Sequence, residues 1–260
     1  MNIDENVVKI MKEIIFCPNI DQYYNKIHNP CYDIIDAQHE QNKNEFQIPE
    51  PFSGEIDKAN ILVISSNPAI DTGKTEKYPN YLWEESEILE FFYKRFQNYI
   101  KDGIRFRTKD GNYSNAVRFW AGIKARVNEI YKMKNLKPVP GKDYCLTEIV
   151  HCKSTMDEGV DKAEKCCSKH FTNIVKLSPA SIFIIVGKHA EKLFCNQYNI
   201  TKYDDKNIYS PVLIENKKRL LLFILAPSAV GPPKILNKWL NSSELNVLSD
   251  WVKQNIQNIH

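Results

Sequence analysis

A loop that carries an asparagine, an aspartate and two serines directly follows an apolar run of the chain. The loop spans residues 65–71 and the apolar run residues 60–64. The amide of Asn67, held by a turn and by Pro68, can accept a hydrogen bond from a water and position it, and Asp71 can act as a general base. The alternative is that Asn67 and Asp71 cap the next helix, whose first backbone amides need acceptors.

Cysteines are the second group of residues that could do chemistry. Their number is odd, and nothing in the chain indicates secretion, so reduced thiols or metal ligation are favoured over disulfide bonds. The seven are Cys17, Cys31, Cys145, Cys152, Cys166, Cys167 and Cys195.

The composition is that of an ordinary globular protein and places few limits on partners. Of 260 residues, 43% are apolar and 26% charged, and 35 basic against 32 acidic residues give a net charge of +3. This balance neither requires nor excludes a nucleic-acid partner, because a local basic face is diluted in the total. No stretch approaches the roughly 18–20 consecutive apolar residues of a membrane helix, and the N-terminus lacks a secretory pattern. We expect a monomeric, cytoplasmic protein with no membrane partner.

Four apolar runs predict the strands that must position these residues. They span residues 60–64, 144–150, 180–186 and 219–225. Each is apolar on both faces, which is typical of parallel strands covered by helices on both sides. A shorter run at 211–214 predicts a small additional strand at an edge.

Segments with helical periodicity separate the strands, at 83–96, 116–133, 161–177, 188–195 and 236–256. This alternation predicts an α/β fold with right-handed crossovers: a three-layer αβα domain with a four-stranded, mostly parallel sheet. Residues 1–50 begin with a short amphipathic segment and are otherwise polar and irregular. They predict an N-terminal extension that packs on a main domain of residues 51–260.

The position of the site follows from this topology, because ligands of open α/β sheets bind at the carboxyl ends of the strands. Those ends are residues 65–71, 151–154, 187–189 and 226–231. Three of the four are rich in polar groups, so we expect them to converge on one cleft.

Four motifs, in order and on the expected elements, resemble those of the uracil-DNA glycosylase superfamily. Residues 65–68 (Ser-Ser-Asn-Pro) resemble its first catalytic motif, and residues 226–232 (Ala-Pro-Ser-Ala-Val-Gly-Pro) resemble the second, usually His-Pro-Ser. Residues 146–153 are similar to a Thr-Asn-x-x-Lys-Cys strand, and residues 178–190 to a Pro-x-x-Ile-x-x-Leu-Gly-x-x-Ala segment, both of the iron–sulfur branch. The resemblance spans about residues 50–235 and implies a uracil-DNA glycosylase-like fold.

The resemblance implies roles for the first motif. A DNA glycosylase extrudes a nucleotide from double-stranded or locally opened DNA, surrounds the base and holds a water against the sugar as positive charge develops. Asn67 would position that water, and Asp71 would act as a base or stabilise the cationic sugar. Ser66 and Pro68 would contact the base.

Three positions depart from the family pattern. Ser65 replaces a glycine, Glu148 replaces the asparagine that reads the base, and Ala226 replaces the histidine that donates to the leaving base. A carboxylate only accepts, and cytosine offers an N4 amine as donor, so Glu148 predicts cytosine or a modified cytosine as the base. Burial would have to keep Glu148 partly protonated to limit repulsion of the departing anion. The alternative is a glutamate at the edge of the strand that pairs with a lysine.

The second motif implies contacts with DNA. Ser228, Ala229 and Val230 would enter or widen the minor groove, and Lys234 would meet a phosphate. The alternative is a plain loop rich in proline and glycine. In place of the histidine missing from this motif, His151 or His189 could supply a donor.

Two further pairs of residues are candidates for contact with nucleic acid. Tyr78 and Trp83 follow the first motif in an irregular segment, so their rings could stack on a base. Arg105 and Arg107 lie in a short basic loop that suits contact with the DNA backbone, although such loops are commonly just solvated.

The resemblance also implies an iron–sulfur cofactor. Cys152 and Cys166 lie where the iron–sulfur branch has its third and fourth ligands, with a shorter intervening loop. That branch begins with a close Cys-x-x-Cys pair, whereas only Cys17 and Cys31 are present here. Since ligands need only converge in space, the four thiols could hold a [4Fe–4S] cluster. The alternative is that they are buried free cysteines.

Together the motifs predict a DNA glycosylase that hydrolyses the bond between deoxyribose and a flipped pyrimidine, in base excision or in defence against modified foreign DNA. Two alternatives remain open. A catalytically silent module on the same fold would bind DNA without making abasic sites, and a small-molecule hydrolase would turn over free nucleosides.

Overall fold

Helices and strands alternate through the protein, and this computed structural model describes residues 3–40, 42–71, 73, 75–227 and 235–257. The helices are α1 (Glu5–Ile15), α2 (Pro18–Tyr24), α3 (Tyr32–Asp36), α4 (Glu85–Tyr93), α5 (Arg95–Asn98), α6 (Arg118–Lys132), α7 (Val160–Leu177), α8 (Lys188–Tyr198), α9 (Leu236–Trp239) and α10 (Ser242–Asn255). The strands are β1 (Ile61–Ser65), β2 (Ile100–Lys101), β3 (Arg105–Phe106), β4 (Tyr144–Glu148), β5 (Ile182–Val186), β6 (Ile208–Ile214) and β7 (Lys217–Ile224).

The central sheet has five strands in the order β4-β1-β5-β7-β6. The first four are parallel, as the runs apolar on both faces predict, and β6 is antiparallel to β7. The short run at 211–214 forms the predicted edge strand, which extends back to Ile208 and pairs along β7, so the sheet has five strands and not four. The β6–β7 turn places Glu215 and Asn216 at φ 46 and 62, as a tight hairpin requires.

Helices cover both faces of the sheet and give the α/β arrangement of three layers. One face packs its alternate residues, among them Leu62 and Phe183, against a core that includes α1, α4, α7 and α8. The other face, with Val63 and Ile184, packs against α6 and α10. None of the described helices is long and apolar enough to cross a bilayer.

The N-terminal segment packs tightly on the sheet domain. The apolar side of α1, with Val7, Met11 and Ile14, is fully buried and belongs to the same core as Phe183. Helix α1 contacts α7 and α4, and α3 contacts α7. Residues of this segment therefore lie within reach of the loop after β4.

Two of the predicted helices are each split into two. The segment 83–96 forms α4 and α5, which meet at Lys94, and the segment 236–256 forms α9 and α10. In the second case Asn241 begins a new helix with a capping box, because its side chain accepts from the amide of Glu244 and the Glu244 carboxylate accepts from the amide of Asn241. The spacing of Asn241 and Glu244 is visible in the sequence and could have marked this boundary.

Candidate active site at the carboxyl ends of the strands

A cavity of about 670 Å³ opens where the four parallel strands end. Its wall contains residues 65–71 after β1, Glu148 at the end of β4, residues 186–190 at the junction of β5 and α8, and Ala226 after β7. Lys153, from the loop after β4, also lines it. The convergence expected for the four strand ends is therefore present.

Asn67 is held rigidly in the cavity wall. Its Nδ2 donates to Oγ of Ser154 at 3.0 Å and to the carbonyl of Pro68 at 3.2 Å. Its Oδ1 accepts from Oγ of Ser66 at 3.1 Å and has a second lone pair to offer a water. The described residues between Asn67 and α4 form no helix, so the alternative role as a helix cap does not apply here.

Asp71 lines the same cavity but also closes a local turn. Its Oδ2 accepts from the backbone amide of Glu76 at 2.7 Å, and Oγ of Thr75 lies 3.4 Å from the same oxygen. The backbone amide of Asp71 in turn donates to Oε1 of Gln47 at 3.2 Å. This carboxylate therefore stabilises the loop, whatever it does in chemistry.

The Glu148 carboxyl is buried, with 5% of the residue exposed, and has one unpartnered oxygen. Its Oε1 accepts from Oγ of Ser65 at 3.3 Å, while its Oε2 has no hydrogen-bond partner among the described residues. Burial raises the pKa of Glu148 well above the usual value, and the nearby Glu50 carboxylate raises it further. The alternative of an edge glutamate paired with a lysine does not fit, since no ion pair joins Glu148 to another described residue.

A buried ion-pair network lies next to Glu148. The Arg95 guanidinium donates through Nη1 to Glu50 and through Nη2 to Glu76, the latter at 2.7 Å, and Nη1 also lies 3.0 Å from Oγ of Ser53. Burial opposes ionisation of Glu50, but the positive charges of Arg95 and Lys153 lower its pKa below the usual value. The network thus favours the anionic form of Glu50, whereas the surroundings of the neighbouring Glu148 favour its neutral form.

The aromatic residues in the cavity wall are not those expected to stack on a base. Tyr78 is buried and donates to the carbonyl of Ile48 at 3.0 Å, and Trp83 packs edge-on against Phe91. Neither lines the cavity. The wall instead contains three aromatic residues that were not predicted to stack on a base: Phe106, Phe119 and Trp120.

A signal for part of this aromatic wall was present in the sequence. Phe119 and Trp120 lie in the first turn of α6, whose segment precedes β4 in the chain. A crossover helix that leads into a parallel strand begins at the edge where the strands end. Residues in that first turn therefore lie beside the site, although their apolar character made a core position more plausible.

The two candidate histidines differ in position. His189 lines the cavity, and its Nδ1 and Nε2 lie 3.0 and 3.2 Å from carboxylate oxygens of Asp157 and Asp161. His151 is buried outside the cavity wall, with Nδ1 3.0 Å from the carbonyl of Glu50. Burial lowers the pKa of His151 to about 3, so its ring is neutral.

The start of the second motif is positioned by a close approach to α6. Ala226 lines the cavity, and a Cβ added at Gly122 would come within 2.2 Å of Cβ of Pro227. Glycine at position 122 is therefore what allows Pro227 to lie against the helix. The four predicted DNA contacts of this motif, Ser228, Ala229, Val230 and Lys234, lie outside the described residues.

Arg105 and Arg107 are exposed on a small hairpin at the cavity. They flank Phe106, which belongs to the wall. Their contact with a DNA backbone stays a prediction.

Four thiols from distant parts of the chain gather beside the loop after β4. Nδ2 of Asn19 donates to Sγ of Cys31 at 3.2 Å and to Sγ of Cys166 at 3.0 Å. Hydrogen bonds from neighbouring thiols, first that of Cys167 and then those of Cys17 and Cys31, lower the pKa of Cys166. Burial and then the charge of Cys166 raise the pKa of Cys152 to about 12.

This thiol group does not have the geometry of a site for one metal ion. In the described part of the chain, no three or more His, Cys, Asp or Glu side chains are arranged to hold a single ion. A [4Fe–4S] cluster makes a different demand, because each thiolate binds a separate iron. Four thiols that converge, with an amide donating to two of the sulfurs, fit that donor set.

The comparisons with known proteins add no relative. The sequence matches no protein-family model, and no curated protein matches it significantly.

Proposed function

We propose that this protein is a DNA glycosylase that hydrolyses the N-glycosidic bond of a flipped pyrimidine, on a fold of the uracil-DNA glycosylase type. The observation that carries the proposal is the shared cavity. It brings the Ser66-Asn67-Pro68 motif, the base-reading position Glu148 and the second motif at Ala226 into one wall at the carboxyl ends of the strands. These segments are far apart in the sequence, and a base-excision pocket requires them together.

Water activation is assigned to Asn67. Hydrogen bonds to Ser154 and from Ser66 fix the orientation of its amide. A lone pair of Oδ1 would therefore point in a fixed direction toward the attacking water. A positioned water can attack the anomeric carbon as the sugar becomes cationic. Asp71 would add negative charge on the same side of the cavity.

Recognition of the base is assigned to Glu148 as a neutral carboxyl. The Ser65 hydroxyl donates to Oε1, which leaves Oε2 as the atom that carries the proton. The group then offers one acceptor and one donor in a fixed order, and it does not repel the departing anion. We propose that its partner is the N4 amine and N3 edge of a cytosine-type base.

The size and lining of the cavity support a base larger than an unmodified pyrimidine. Its volume of about 670 Å³ lies within the range of pockets that enclose drug-sized ligands. Phe106, Phe119 and Trp120 supply apolar planes against which a base can stack. A substituent at the 5-position of cytosine would have room in such a site.

The four gathered thiols are assigned to a [4Fe–4S] cluster. Cys17 precedes α2, Cys31 precedes α3, Cys152 follows β4 and Cys166 lies within α7. Ligation by these residues would tie the N-terminal segment to the sheet domain. A bound cluster would thus act as a cross-link between the two parts of the chain, and the Asn19 amide would donate to two of its ligand sulfurs.

The test is a panel of DNA duplexes treated with protein and then with alkali, which breaks the strand at abasic sites. The panel contains uracil, a thymine mismatch, cytosine and cytosines with bulky 5-substituents. We expect strand scission at a cytosine-type base, and no scission with Asn67→Ala. Scission at uracil alone would contradict the role of Glu148. Binding without abasic sites would indicate a silent DNA-binding module, and turnover of free nucleosides would indicate a small-molecule hydrolase.

A further inference from the structure

The cavity wall contains one buried cation that no anion touches. Arg95 is bound through Nη1 and Nη2 by Glu50, Glu76 and Ser53, and the exposed Lys188 has its Nζ 3.1 Å from Oε1 of Glu191. Lys153 is only 2% exposed, and its Nζ makes no ion pair or hydrogen bond with any residue that the structure describes.

The surroundings of Lys153 act on its charge in opposite directions, since burial lowers its pKa and the carboxylates of Glu76 and Glu50 raise it. Its Nζ lies 3.7 Å from the centroid of the Tyr78 ring, a cation–π contact. Two carboxylates of the wall that act on Lys153, those of Glu50 and Glu76, are bound to Arg95. A buried cation interacts strongly with any negative charge that forms beside it.

We propose that Lys153 stabilises the pyrimidine anion that leaves the sugar. The inference rests on the proposed glycosylase function and answers the loss of the histidine at Ala226. Lys153 and Ala226 both line the cavity that the missing imidazole would face.

The step conserves atoms and electrons without any covalent change in Lys153. The bond between C1′ and N1 breaks, and its electron pair leaves with the base, where it spreads to O2. The oxygen of the water held by Asn67 forms the new bond to C1′. One proton of that water finally reaches the base, and the ammonium keeps its own proton throughout.

The test compares leaving groups of different acidity. Duplexes carry the base that the wild-type protein excises and a fluorinated form of it, with the fluorine at the 5-position or, where the base has a 5-substituent, within that substituent, because fluorine withdraws electrons and stabilises the anion. Single-turnover excision is measured for the wild type, Lys153→Met, Lys153→Arg and the control Lys165→Met, an exposed lysine on α7. Lys153→Gln replaces the methionine variant if the latter does not fold.

We expect Lys153→Met to slow excision of the plain base by about 100-fold or more, as loss of one preorganised donor does elsewhere. The factor by which Lys153→Met slows excision should be about tenfold smaller for the fluorinated base, because that anion needs less stabilisation. Lys153→Arg should recover part of the rate, and Lys165→Met should match the wild type.

An equal loss on both bases would overturn the inference, since a structural role of Lys153 would slow both alike. If the wild type excises the base and Lys153→Met slows excision of both bases equally, the role of Lys153 is refuted and the proposed function is not. Absence of excision by the wild type on every base overturns the proposed function and this inference with it.

Discussion

The hydroxyl of Ser65 donates to Oε1 of Glu148 at 3.3 Å, across the ends of two adjacent parallel strands. These are two of the three positions that depart from the glycosylase motifs. They are direct partners in the register of β1 and β4, so a glycine at position 65 would leave Oε1 without this donor. The two departures form one interaction, and Oε2 is the carboxyl oxygen of Glu148 that has no hydrogen-bond partner among the described residues.

The pH dependence of excision should follow the proton on Glu148. Its pKa in the folded protein is raised, so the neutral form persists where a free glutamate is ionised and is lost as the pH rises through the raised pKa. We expect kcat/KM of the wild type to fall with rising pH. Glu148→Gln, which is neutral at every pH, should keep activity and lose this fall. A pH–rate profile that is the same for both proteins would contradict the assignment.

Asn67 and Ser154 should contribute unequally to the rate. Asn67→Ala removes the group that orients the water, and we expect excision to fall by about 100-fold or more with DNA binding unchanged. Ser154→Ala removes only the acceptor of the Asn67 amide at 3.0 Å, so a loss of about tenfold is expected. Single-turnover rates and binding isotherms measure both. Equal losses, or a loss of binding, would argue against a water-positioning role for Asn67.

Replacement of Gly122 by alanine tests the position of the second motif. Helix propensity alone would make Gly122→Ala stabilising by about 1 kcal/mol. The added Cβ would lie 2.2 Å from Cβ of Pro227, and overpacking of this kind costs about 1–3 kcal/mol. We therefore expect a net loss of stability in urea denaturation. A more stable variant would show that Pro227 does not lie against α6.

Arg95 should be needed for stability, because its removal leaves two buried carboxylates without their partner. Arg95→Met leaves Glu50 and Glu76 without their partner, and loss of one side of a buried ion pair costs about 3–5 kcal/mol. Neutralising both carboxylates in the same protein should restore most of that loss. The surface pair of Lys12 and Glu85 gives the control, since Lys12→Met should cost less than about 1 kcal/mol. Urea midpoints compare the variants.

The cysteines should fall into two classes if they hold an iron–sulfur cluster. Serine at Cys17, Cys31, Cys152 or Cys166 should abolish the brown colour and the bound iron and sulfide of protein purified without oxygen. Cys195→Ser, in α8, should leave both unchanged. A colourless wild-type protein under these conditions would refute the cluster and leave the thiols as buried free cysteines.

Cys167 was not foreseen as a neighbour of this group. It follows Cys166 in α7, is buried, and donates to the Cys166 sulfur, which raises its own pKa. The sequence alone does not show which of two adjacent cysteines faces the other thiols, because that depends on the direction of each side chain on the helix.

The sequence by itself determined the parallel sheet and the location of the site. Runs that are apolar on both faces can be buried only between two helix layers, and the four predicted runs are β1, β4, β5 and β7. Because parallel strands end at one edge, Glu148 at the end of β4 and the loops that carry Asn67 and Ala226 had to meet there.

Only the tertiary structure decided which other residues complete the site. Glu50, Arg95 and Lys153 come from three separate segments, and no periodicity of a single segment shows that their charges meet. The raised pKa of Glu148 depends on burial and on the charge of Glu50, which are properties of the packed protein. Trp120 lines the cavity and Tyr78 does not, and this depends on how helices and loops pack around the cavity. The local sequence sets the type of a side chain but not its neighbours.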